Sequence, residues 1–306
     1  MRIFLTGATG YVGGAVLDAL VRGGHTVTAL VRDGEKAKRV AAKGGRPVVG
    51  NLAEPESYRA AADAQDGYVH TAFDTASGRG PAIDRIALDT MIVAARRPRT
   101  AGATTPRARF LIYTSGIWVL GRSSDPVAED APLNPLPIVA WRPAHEDLVT
   151  AAGTDQLRTV IVRPGVVYGG ANGMVGDLFR SASNGLVRVI GDGNNHWPLV
   201  YERDLADLYV RLVANEAASG VYHANDEGDE SVNDIVGAIK PHVAVRPDVR
   251  YVPLDEARAK MGAFADALSL DQIARSPRSR ALGWTPTLRS VGGNAARLLE
   301  EWRSAS

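Results

Sequence analysis

A glycine-rich turn constrains what this chain can fold into more than any other feature. Residues 6–13 read TGATGYVG and directly follow the apolar run Ile3-Phe4-Leu5. After the turn, apolar residues recur every three to four positions as far as Gly23-Gly24, which is the period of an amphipathic helix. Glycines at this spacing allow a tight turn and a close approach of the helix to the preceding strand. We therefore predict a strand over 2–5 and a helix over 11–22.

The same alternation of short apolar runs and helical stretches continues along the chain. Further strands are predicted over 26–31, 46–49, 67–72, 109–113 and 159–162, and further helices over 36–43, 55–64, 83–95, 140–152 and 204–215. Strands that alternate with helices form parallel sheets, so the predicted fold is a Rossmann-type, doubly wound α/β sheet. The connection over 96–107 contains four arginines and is expected to be a surface loop, at the edge of the sheet opposite to the ligand edge.

Composition narrows the range of partners. The chain has 306 residues, of which 45% are hydrophobic, and 35 Lys and Arg balance 34 Asp and Glu. This balance offers no general attraction to nucleic acid or to an anionic membrane, so we expect a small-molecule partner, no nucleic acid and no membrane, with a homodimer left open. Cysteine is absent, and the first apolar run of three residues is too short for a signal-peptide core. A cytoplasmic location is therefore expected.

The glycine turn also predicts a ligand. A helix that starts directly after such a turn presents free N–H groups and a partial positive charge to a phosphate. Strand, turn and helix occur here in the order that dinucleotide-binding folds use. We therefore expect the turn to bind the pyrophosphate of a dinucleotide.

The end of the second predicted strand distinguishes between two dinucleotides. An acid at this position binds the 2′-hydroxyl of the NAD ribose, whereas a cation accommodates the 2′-phosphate of NADP. Here Arg32 follows the strand directly, and Asp33 follows Arg32. Arg32 favours NADP(H) as the cofactor, while Asp33 leaves NAD as the alternative.

Several segments occur in an order shared with a known family. They are the TGxxGxxG turn, Gly50-Asn51-Leu52 with Asn51 in place of an aspartate, His70-Thr71-Ala72, Tyr113-Thr114-Ser115-Gly116, an RPxxxYG over 163–169 and an LGWxP over 282–286. Together they resemble the short-chain dehydrogenase/reductase superfamily in its extended or atypical branch, which includes nucleotide-sugar epimerases and dehydratases. The cofactor contacts predicted from the turn, the strand ends and this resemblance are Gly7, Thr9, Gly10, Tyr11, Val12, Gly13, Arg32, Asn51, Leu52, Thr71, Ala72, Phe73, Thr114, Arg142 and Pro164.

The resemblance also implies a division of the chain. Residues 1–168 are expected to form the dinucleotide-binding Rossmann domain, and a later strand and helix are expected to return to it over 200–225. Residues 169–306, which are richer in Gly, Asn and Pro, are expected to form mainly a substrate-binding lobe. Within that lobe, His196 and Trp197 lie in a segment that resembles the family's substrate-cleft border.

The family's catalytic Tyr-x-x-x-Lys is missing from this chain. In one register, Trp141 and His145 occupy the two positions. In the other, anchored on the ExLV-like run 146–149, the two residues are Ile138 and Arg142. We prefer the second register, because Arg142 can donate to ribose hydroxyls and hold positive charge near the nicotinamide. Neither register supplies the tyrosine that acts as the family's acid.

Other side chains are candidates for the missing chemistry. His145 is suited to acid–base work near neutral pH, with a surface position or a role in supporting another residue as the alternative. Tyr168 and Tyr201 are alternative proton donors, with wall packing as their structural role. Ser115 is a candidate ligand for the substrate oxygen, one residue before the position that the family pattern indicates. The predicted catalytic residues are thus Ser115, Arg142, His145 and Tyr168, and no segment has the ligand spacing of a metal site.

Three functions are compatible with these residues. The first is an NADP(H)-dependent oxidoreductase of a small carbonyl, alcohol or imine compound with a non-standard proton donor, because hydride transfer is mainly a positioning task. The second is a nucleotide-sugar epimerase or dehydratase, which the overall resemblance suggests and the missing tyrosine disfavours. The third is a non-catalytic protein that binds or senses NADP(H).

Overall fold

The computed structural model of the protein describes residues 1–97 and 108–305, so most of the predicted loop over 96–107 lies outside the described residues. The strands are β1 (Arg2–Thr6), β2 (Thr26–Val31), β3 (Arg46–Val49), β4 (Gly67–His70), β5 (Arg109–Thr114), β6 (Ser123–Val127), β7 (Leu157–Pro164), β8 (Val166–Tyr168), β9 (Leu186–Ile190), β10 (Leu199–Tyr201), β11 (Gly220–Ala224), β12 (Asp248–Val252) and β13 (Gln272–Ala274). The α-helices are α1 (Tyr11–Arg22), α2 (Gly34–Ala42), α3 (Arg59–Asp63), α4 (Gly80–Arg96), α5 (Arg142–Ala152), α6 (Gly173–Ser183), α7 (Glu202–Ala214), α8 (Val232–Ile239), α9 (Leu254–Met261), α10 (Phe264–Leu268), α11 (Pro277–Ala281) and α12 (Ala295–Ala305). Short 3₁₀ turns are Pro55–Ser57, Ile117–Leu120, Pro137–Val139, Lys240–His242 and Gly292–Asn294.

The central sheet has seven strands in the order β11-β7-β5-β4-β1-β2-β3. Neighbouring strands from β3 to β7 pair in parallel, with Thr6 of β1 opposite Leu30 of β2 on one side and His70 of β4 on the other. Ile3, Phe4 and Leu5 are fully buried, because helices cover both faces of a parallel sheet. The predicted fold class is confirmed.

The chain continues from β1 to β2 on one side and later to β4 on the other, so the strand order reverses at β1. This reversal creates a crevice at the carboxyl ends of these strands.

Local chemistry moves several element boundaries away from their predicted positions. Helix α2 begins at Gly34 rather than at residue 36, because the Asp33 side chain accepts a hydrogen bond from the Lys36 backbone N–H and caps the helix. The helix predicted over 55–64 is a 3₁₀ turn followed by α3. Tyr58 separates the two elements and stacks on Phe4 with 5.9 Å between the ring centroids.

The chain forms two compact units. The first consists of Met1–Ser115, Trp141–Val162 and Leu205–Tyr222, and the second of Gly116–Ala140, Arg163–Asp204 and His223–Ser306. The predicted boundary at residue 168 places 116–140 in the first domain. These residues belong instead to the second unit, because Ile117, Val119 and Leu120 pack with Val139 and Ala274, and because β6 pairs with β13.

The second unit contains three two-stranded parallel sheets, formed by β8 with β10, β9 with β12 and β6 with β13. Its LGWxP segment is held by Asp204 in the first turn of α7. The fully buried Trp284 donates its indole N–H to the Asp204 carbonyl oxygen at 2.7 Å, and Thr287 donates its backbone N–H and its hydroxyl to the Asp204 carboxylate at 2.8 Å each. Within the described residues, the protein has no helix both long and apolar enough to cross a membrane.

Candidate functional site

An open pocket of about 480 Å³ lies in the first unit at the carboxyl ends of β1, β2 and β4. Its lining residues are Thr6, Gly7, Thr9, Gly10, Tyr11, Val12, Gly13, Leu30, Val31, Arg32, Lys36, Gly50, Asn51, Leu52, Thr71, Ala72, Phe73, Asp74, Thr75, Ala76 and Ile83. The predicted cofactor contacts on the glycine turn and at the ends of the first four strands are therefore brought together in one place. Thr114 and Pro164, which are also predicted contacts, end β5 and β7 and are not among the lining residues, and neither is Arg142.

Two positions of the glycine turn, Gly7 and Gly13, leave no room for a side chain. Gly7 has φ +79°, and a Cβ atom on it would lie 2.7 Å from the Ala72 backbone nitrogen. A Cβ atom on Gly13 would lie 2.1 Å from the Gly7 carbonyl oxygen. Gly10, the residue before α1, provides no side-chain cap, and the first turn of the helix has no acidic residue. The helix N-terminus therefore directs its positive potential at the pocket, which fits the pyrophosphate of a dinucleotide.

Two cations lie at the end of the pocket formed by β2. Arg32 is exposed and has no hydrogen bond or ion pair within the described parts of the chain. Lys36, in the first turn of α2, pairs with Asp33 at 2.6 Å between its Nζ atom and the carboxylate. Asp33 is thus occupied twice, by the Lys36 ammonium and by the helix cap, and these hydrogen bonds hold the pKa of its carboxyl below the usual value. Sequence reasoning missed Lys36, although its position one turn into a helix that follows Arg32 was a usable signal.

Other predicted contacts are held by local hydrogen bonds. The Asn51 side chain accepts from the Ala53 N–H at 3.1 Å and donates to Glu54 at 3.0 Å. The Thr71 hydroxyl donates to the Thr6 carbonyl oxygen at 2.7 Å, which ties the end of β4 to β1 beneath the pocket. These bonds fix the walls against which an adenine and a ribose would lie.

Arg142 is the first residue of α5 and is directed at the end of β5. Its guanidinium donates to the Thr114 carbonyl oxygen at 2.9 Å and to the Tyr113 hydroxyl at 3.4 Å. It also lies 4.5 Å from the ring centroid of Trp141, and Trp141 stacks on Phe73 with 5.0 Å between the centroids. The 40% exposed Phe73 lines the pocket, so this cation and two aromatic rings form a continuous group that starts at the pocket wall.

A buried carboxylate on α4 connects β4, β5 and α5 next to this group. Asp84 of α4 receives a hydrogen bond from His70 at 3.2 Å, from His145 at 2.8 Å and from the Tyr113 hydroxyl at 3.2 Å. Burial favours a higher pKa for this carboxyl, but the electrostatic attraction of His70 and the hydrogen bonds from both histidines outweigh burial and hold the pKa well below its usual value. Asp84 is therefore ionised at neutral pH. Sequence reasoning missed it, although an acid within the apolar stripe of α4 is an identifiable anomaly.

Ser115 occupies a structural position. It is buried and donates its hydroxyl to the Glu146 carboxylate. The predicted role as a ligand for the substrate oxygen requires a free hydroxyl, so this geometry does not support it.

Tyr168 and Tyr201 are both packed in the core of the second unit. The Tyr168 hydroxyl donates to the buried Asp226 at 3.2 Å, and burial together with this carboxylate raises the pKa of Tyr168 far above its usual value. Burial also raises the pKa of Asp226, to about 7. The Tyr201 hydroxyl donates to Glu301 at 2.9 Å, and burial and Glu301 raise its pKa to about 12. Neither hydroxyl is placed to release a proton to a ligand.

His196 and Trp197, the residues of the predicted substrate-cleft border, also form hydrogen bonds within the second unit. The imidazole Nδ1 of the half-buried His196 lies 2.8 Å from Asp271, and Trp197 is buried with its indole N–H on the Leu268 carbonyl oxygen at 3.2 Å. Over 1–97 and 108–305, no group of three or more His, Asp or Glu side chains is arranged to hold a metal ion.

Comparison with known proteins agrees with this geometry. The model of the family described as NAD dependent epimerase/dehydratase matches residues 3–224. Uncharacterized protein C2A9.02 of Schizosaccharomyces pombe is 32% identical, over 94% of this chain and 95% of its own. The 2-alkyl-3-oxoalkanoate reductase of Stenotrophomonas maltophilia is 30% identical, over 78% of this chain and 76% of its own.

A solved structure shares the fold. The crystal structure of human epimerase family protein SDR39U1 with NADPH has a TM-score of 0.79 and 19% identity, over 98% of this chain and 99% of that chain. The family match confirms the resemblance to the epimerase and dehydratase branch of the short-chain dehydrogenase/reductase superfamily. Since the family match extends over most of the sequence and includes the glycine turn and the strand ends around the pocket, this chain belongs to the NAD dependent epimerase/dehydratase family.

Proposed function

We propose that this protein is an NADP(H)-dependent reductase of a small carbonyl or imine compound, or the reverse dehydrogenase. Family membership gives the coarser class, an oxidoreductase that uses a nicotinamide dinucleotide. The proposal adds the phosphorylated form of the cofactor and the type of substrate.

The choice of NADP(H) depends mainly on one observation, the exposed Arg32 guanidinium in the pocket wall where the adenosine ribose would lie, which has no hydrogen bond or ion pair within the described residues. An arginine there can bind a 2′-phosphate through charge-assisted hydrogen bonds. Lys36 adds a second cation, and Asp33 is occupied by its helix cap and by Lys36, so it is poorly placed to accept from a ribose hydroxyl. The human SDR39U1 structure contains NADPH, which supports the same choice.

We propose a reduction because the site keeps the residues that can hold the cofactor but lacks the family's tyrosine. The glycine turn and the strand ends can hold the cofactor, which supplies the hydride when bound, and Arg142 can keep a positive charge near its nicotinamide end. Hydride transfer to a positioned carbonyl or iminium carbon requires little else from the protein than orientation. The reductase name of the Stenotrophomonas relative supports this reaction class.

The second candidate is a nucleotide-sugar epimerase or dehydratase, which the name of the family suggests. It is the weaker one, because Arg32 favours NADP(H) over the NAD that such enzymes usually use, and because the reductase name of the Stenotrophomonas relative points to net reduction.

The test is an activity screen of the purified protein with NADPH and, in parallel, with NADH. Ketones, aldehydes, cyclic imines and nucleotide sugars are offered, and oxidation of the reduced cofactor is followed by absorbance. We expect turnover of at least one carbonyl or imine class, with NADPH as the preferred donor. In Arg142→Ala the rate should fall by about tenfold or more, since charge-assisted hydrogen bonds contribute about 1.5–3 kcal/mol, whereas Arg85→Ala, which removes an exposed surface ion pair, should leave it unchanged.

Two results would contradict the proposal. Tight NADPH binding without turnover of any compound would indicate the third function, a cofactor-binding or sensing protein. Interconversion of a nucleotide sugar without net consumption of NADPH would establish the second candidate.

A further inference from the structure

We propose that Asp84 orients His145 as the proton donor of this site, so that an Asp–His pair replaces the family's missing tyrosine. The inference rests on the proposed reductase function and adds to it the source of the proton. His145 is then the catalytic residue, and Asp84 is a positioning residue that acts through it.

The contact between the two side chains determines which nitrogen of His145 carries the hydrogen. The imidazole Nδ1 lies 2.8 Å from the Asp84 Oδ2 atom. An ionised carboxylate only accepts hydrogen bonds, so Nδ1 must be the protonated nitrogen of the neutral ring. The Nε2 atom is then the site that gains and loses the second proton, and no described residue forms a hydrogen bond with it.

Burial places the pair at the boundary between the core and the exterior. The Asp84 side chain is 2% exposed, while that of His145 is 9% exposed. The Nδ1 atom of the ring faces the buried carboxylate, and the His145 side chain keeps a small exposed area. A buried carboxylate behind a partly accessible imidazole stabilises the imidazolium, as the aspartate of a hydrolase triad does.

Three chains of contacts connect this pair with the cofactor pocket. Phe73 in the pocket wall stacks on Trp141, and Trp141 and His145 meet in a T-shaped arrangement with 4.9 Å between their ring centroids. Thr6, also in the pocket wall, lies 2.6 Å from His70 Nδ1, and His70 Nε2 donates to Asp84. Arg142, whose guanidinium lies 5.6 Å from the centroid of the Phe73 ring, donates to Tyr113, whose hydroxyl donates to Asp84. The pair is therefore connected through side-chain contacts with Thr6 and Phe73 of the pocket wall.

The alternative donors around the site are already occupied. Tyr113 is fully buried with its hydroxyl on Asp84, and burial beside this carboxylate raises its pKa far above the usual value. Ser115 is bound to Glu146. The titratable and charged groups that face the pair are His70 from β4, Tyr113 from β5, and Arg142 and Glu146 from α5. Within the described part of this cluster, His145 combines an imidazole, the side chain best suited to proton transfer, with an Nε2 atom that has no hydrogen-bond partner.

The proposed step balances as a simple reduction. When bound, NADPH would supply a hydride to the carbon of a carbonyl substrate, and the electron pair of the C=O π bond would move to the oxygen. That oxygen takes the Nε2 proton of the His145 imidazolium, which leaves a neutral ring and an alcohol. A proton from solvent then restores the imidazolium. The net change consumes NADPH, one proton and the carbonyl compound, and forms NADP⁺ and the alcohol.

The first test needs neither cofactor nor substrate. NMR of the cofactor-free protein with isotope-labelled histidines reports which nitrogen is protonated when the rings are neutral at alkaline pH. We expect His145 in the Nδ1–H form, assigned by the loss of its signals in His145→Gln. An Nε2–H form would overturn the proposed orientation by Asp84.

The second test is kinetic and uses a carbonyl substrate found in the screen. In His145→Gln, kcat should fall by about 10²–10⁴-fold, the usual contribution of a general acid, while the dissociation constant of NADPH stays within about threefold. The wild-type rate should fall as pH rises and the imidazolium loses its proton, and this dependence should disappear in the variant. Asp84→Asn should also lower kcat by about 10²-fold or more, because an amide no longer requires the Nδ1–H form.

His70→Gln is the matched control, because His70 shares the same buried carboxylate but has no open nitrogen. It should reduce stability without removing the dependence of the rate on pH. A His145→Gln enzyme within about tenfold of wild type, or one with an unchanged pH dependence, would overturn the assignment of the donor. If wild type reduces no compound at all, the proposed function fails and the donor role fails with it, whereas the NMR result still decides whether Asp84 orients His145.

Discussion

Gly13 lies where helix α1 touches the glycine turn that precedes it. The distance of 2.1 Å between an added Cβ atom and the Gly7 carbonyl oxygen is far below a van der Waals contact, and both atoms belong to rigid main chain. Gly14 is the next residue of the same helix, yet an added Cβ atom there would lie 3.6 Å from the nearest atom, the Ala8 carbonyl oxygen. A side chain would therefore clash at Gly13 but fit at Gly14.

We predict opposite effects for alanine at these two positions. Gly13→Ala should destabilise the protein by about 1–3 kcal/mol, as overpacking does, and should weaken NADPH binding by more than about tenfold, because the turn has to move. Gly14→Ala should raise stability by about 0.5–1 kcal/mol, the difference in helix propensity, and leave binding unchanged. Thermal denaturation and fluorescence titration of both variants test this, and equal behaviour of the two would refute the assigned packing.

Single residues also show where reading the sequence fails. The glycine turn, Arg32 and Thr71 were predicted, because their positions relative to a strand determine where they lie in this fold. Asp84 could not be paired with His145 and His70 from the sequence, since the three residues come from α4, α5 and β4 and meet only when these elements pack together. The environment of Ser115 depends in the same way on Glu146, which lies 31 positions further along.

At the scale of secondary structure, predicted and observed boundaries agree where apolar periodicity ends at a glycine or a charged residue. The strands over 26–31 and 46–49 and the helix over 11–22 have the predicted bounds. Predicted and observed boundaries disagree where a helix cap or a side-chain packing contact determines the boundary. The start of α2 depends on the Asp33 side chain, and the interruption of the helix predicted over 55–64 coincides with Tyr58, whose ring stacks on Phe4.

Helix α2 yields a prediction that separates the structural and the cofactor roles of Asp33. Asp33→Ala should lower the stability of the protein through loss of the cap, whereas Asp33→Asn retains the capping oxygen and should leave the stability nearly unchanged. Neither variant should weaken NADPH binding, because the carboxylate is occupied by α2 rather than by the ribose. Chemical denaturation and cofactor titration measure both effects. A selective loss of NADH affinity in both variants would instead identify Asp33 as a ribose ligand.

For the molecule as a whole, the strand order explains why residues so distant in sequence form one pocket. The ends of β1, β2 and β4 are adjacent because the chain continues to opposite sides of β1, and this order could be expected from the alternation of strands and helices. The division into two units was harder to predict. Residues 116–140 precede the helix α5 of the first unit, yet their apolar side chains pack with Ala274, which lies more than a hundred positions away.

We propose that the Arg32 guanidinium at the end of β2 selects the phosphorylated cofactor. Calorimetric titration of NADPH and NADH into wild type and Arg32→Ala measures this selection. We expect wild type to bind NADPH at least about tenfold more tightly than NADH, and the variant to lose most of this preference, since a charge-assisted hydrogen bond contributes about 1.5–3 kcal/mol and about 1.4 kcal/mol corresponds to tenfold in affinity. Equal or tighter binding of NADH by wild type, or an undiminished preference for NADPH in Arg32→Ala, would rule out this role of Arg32.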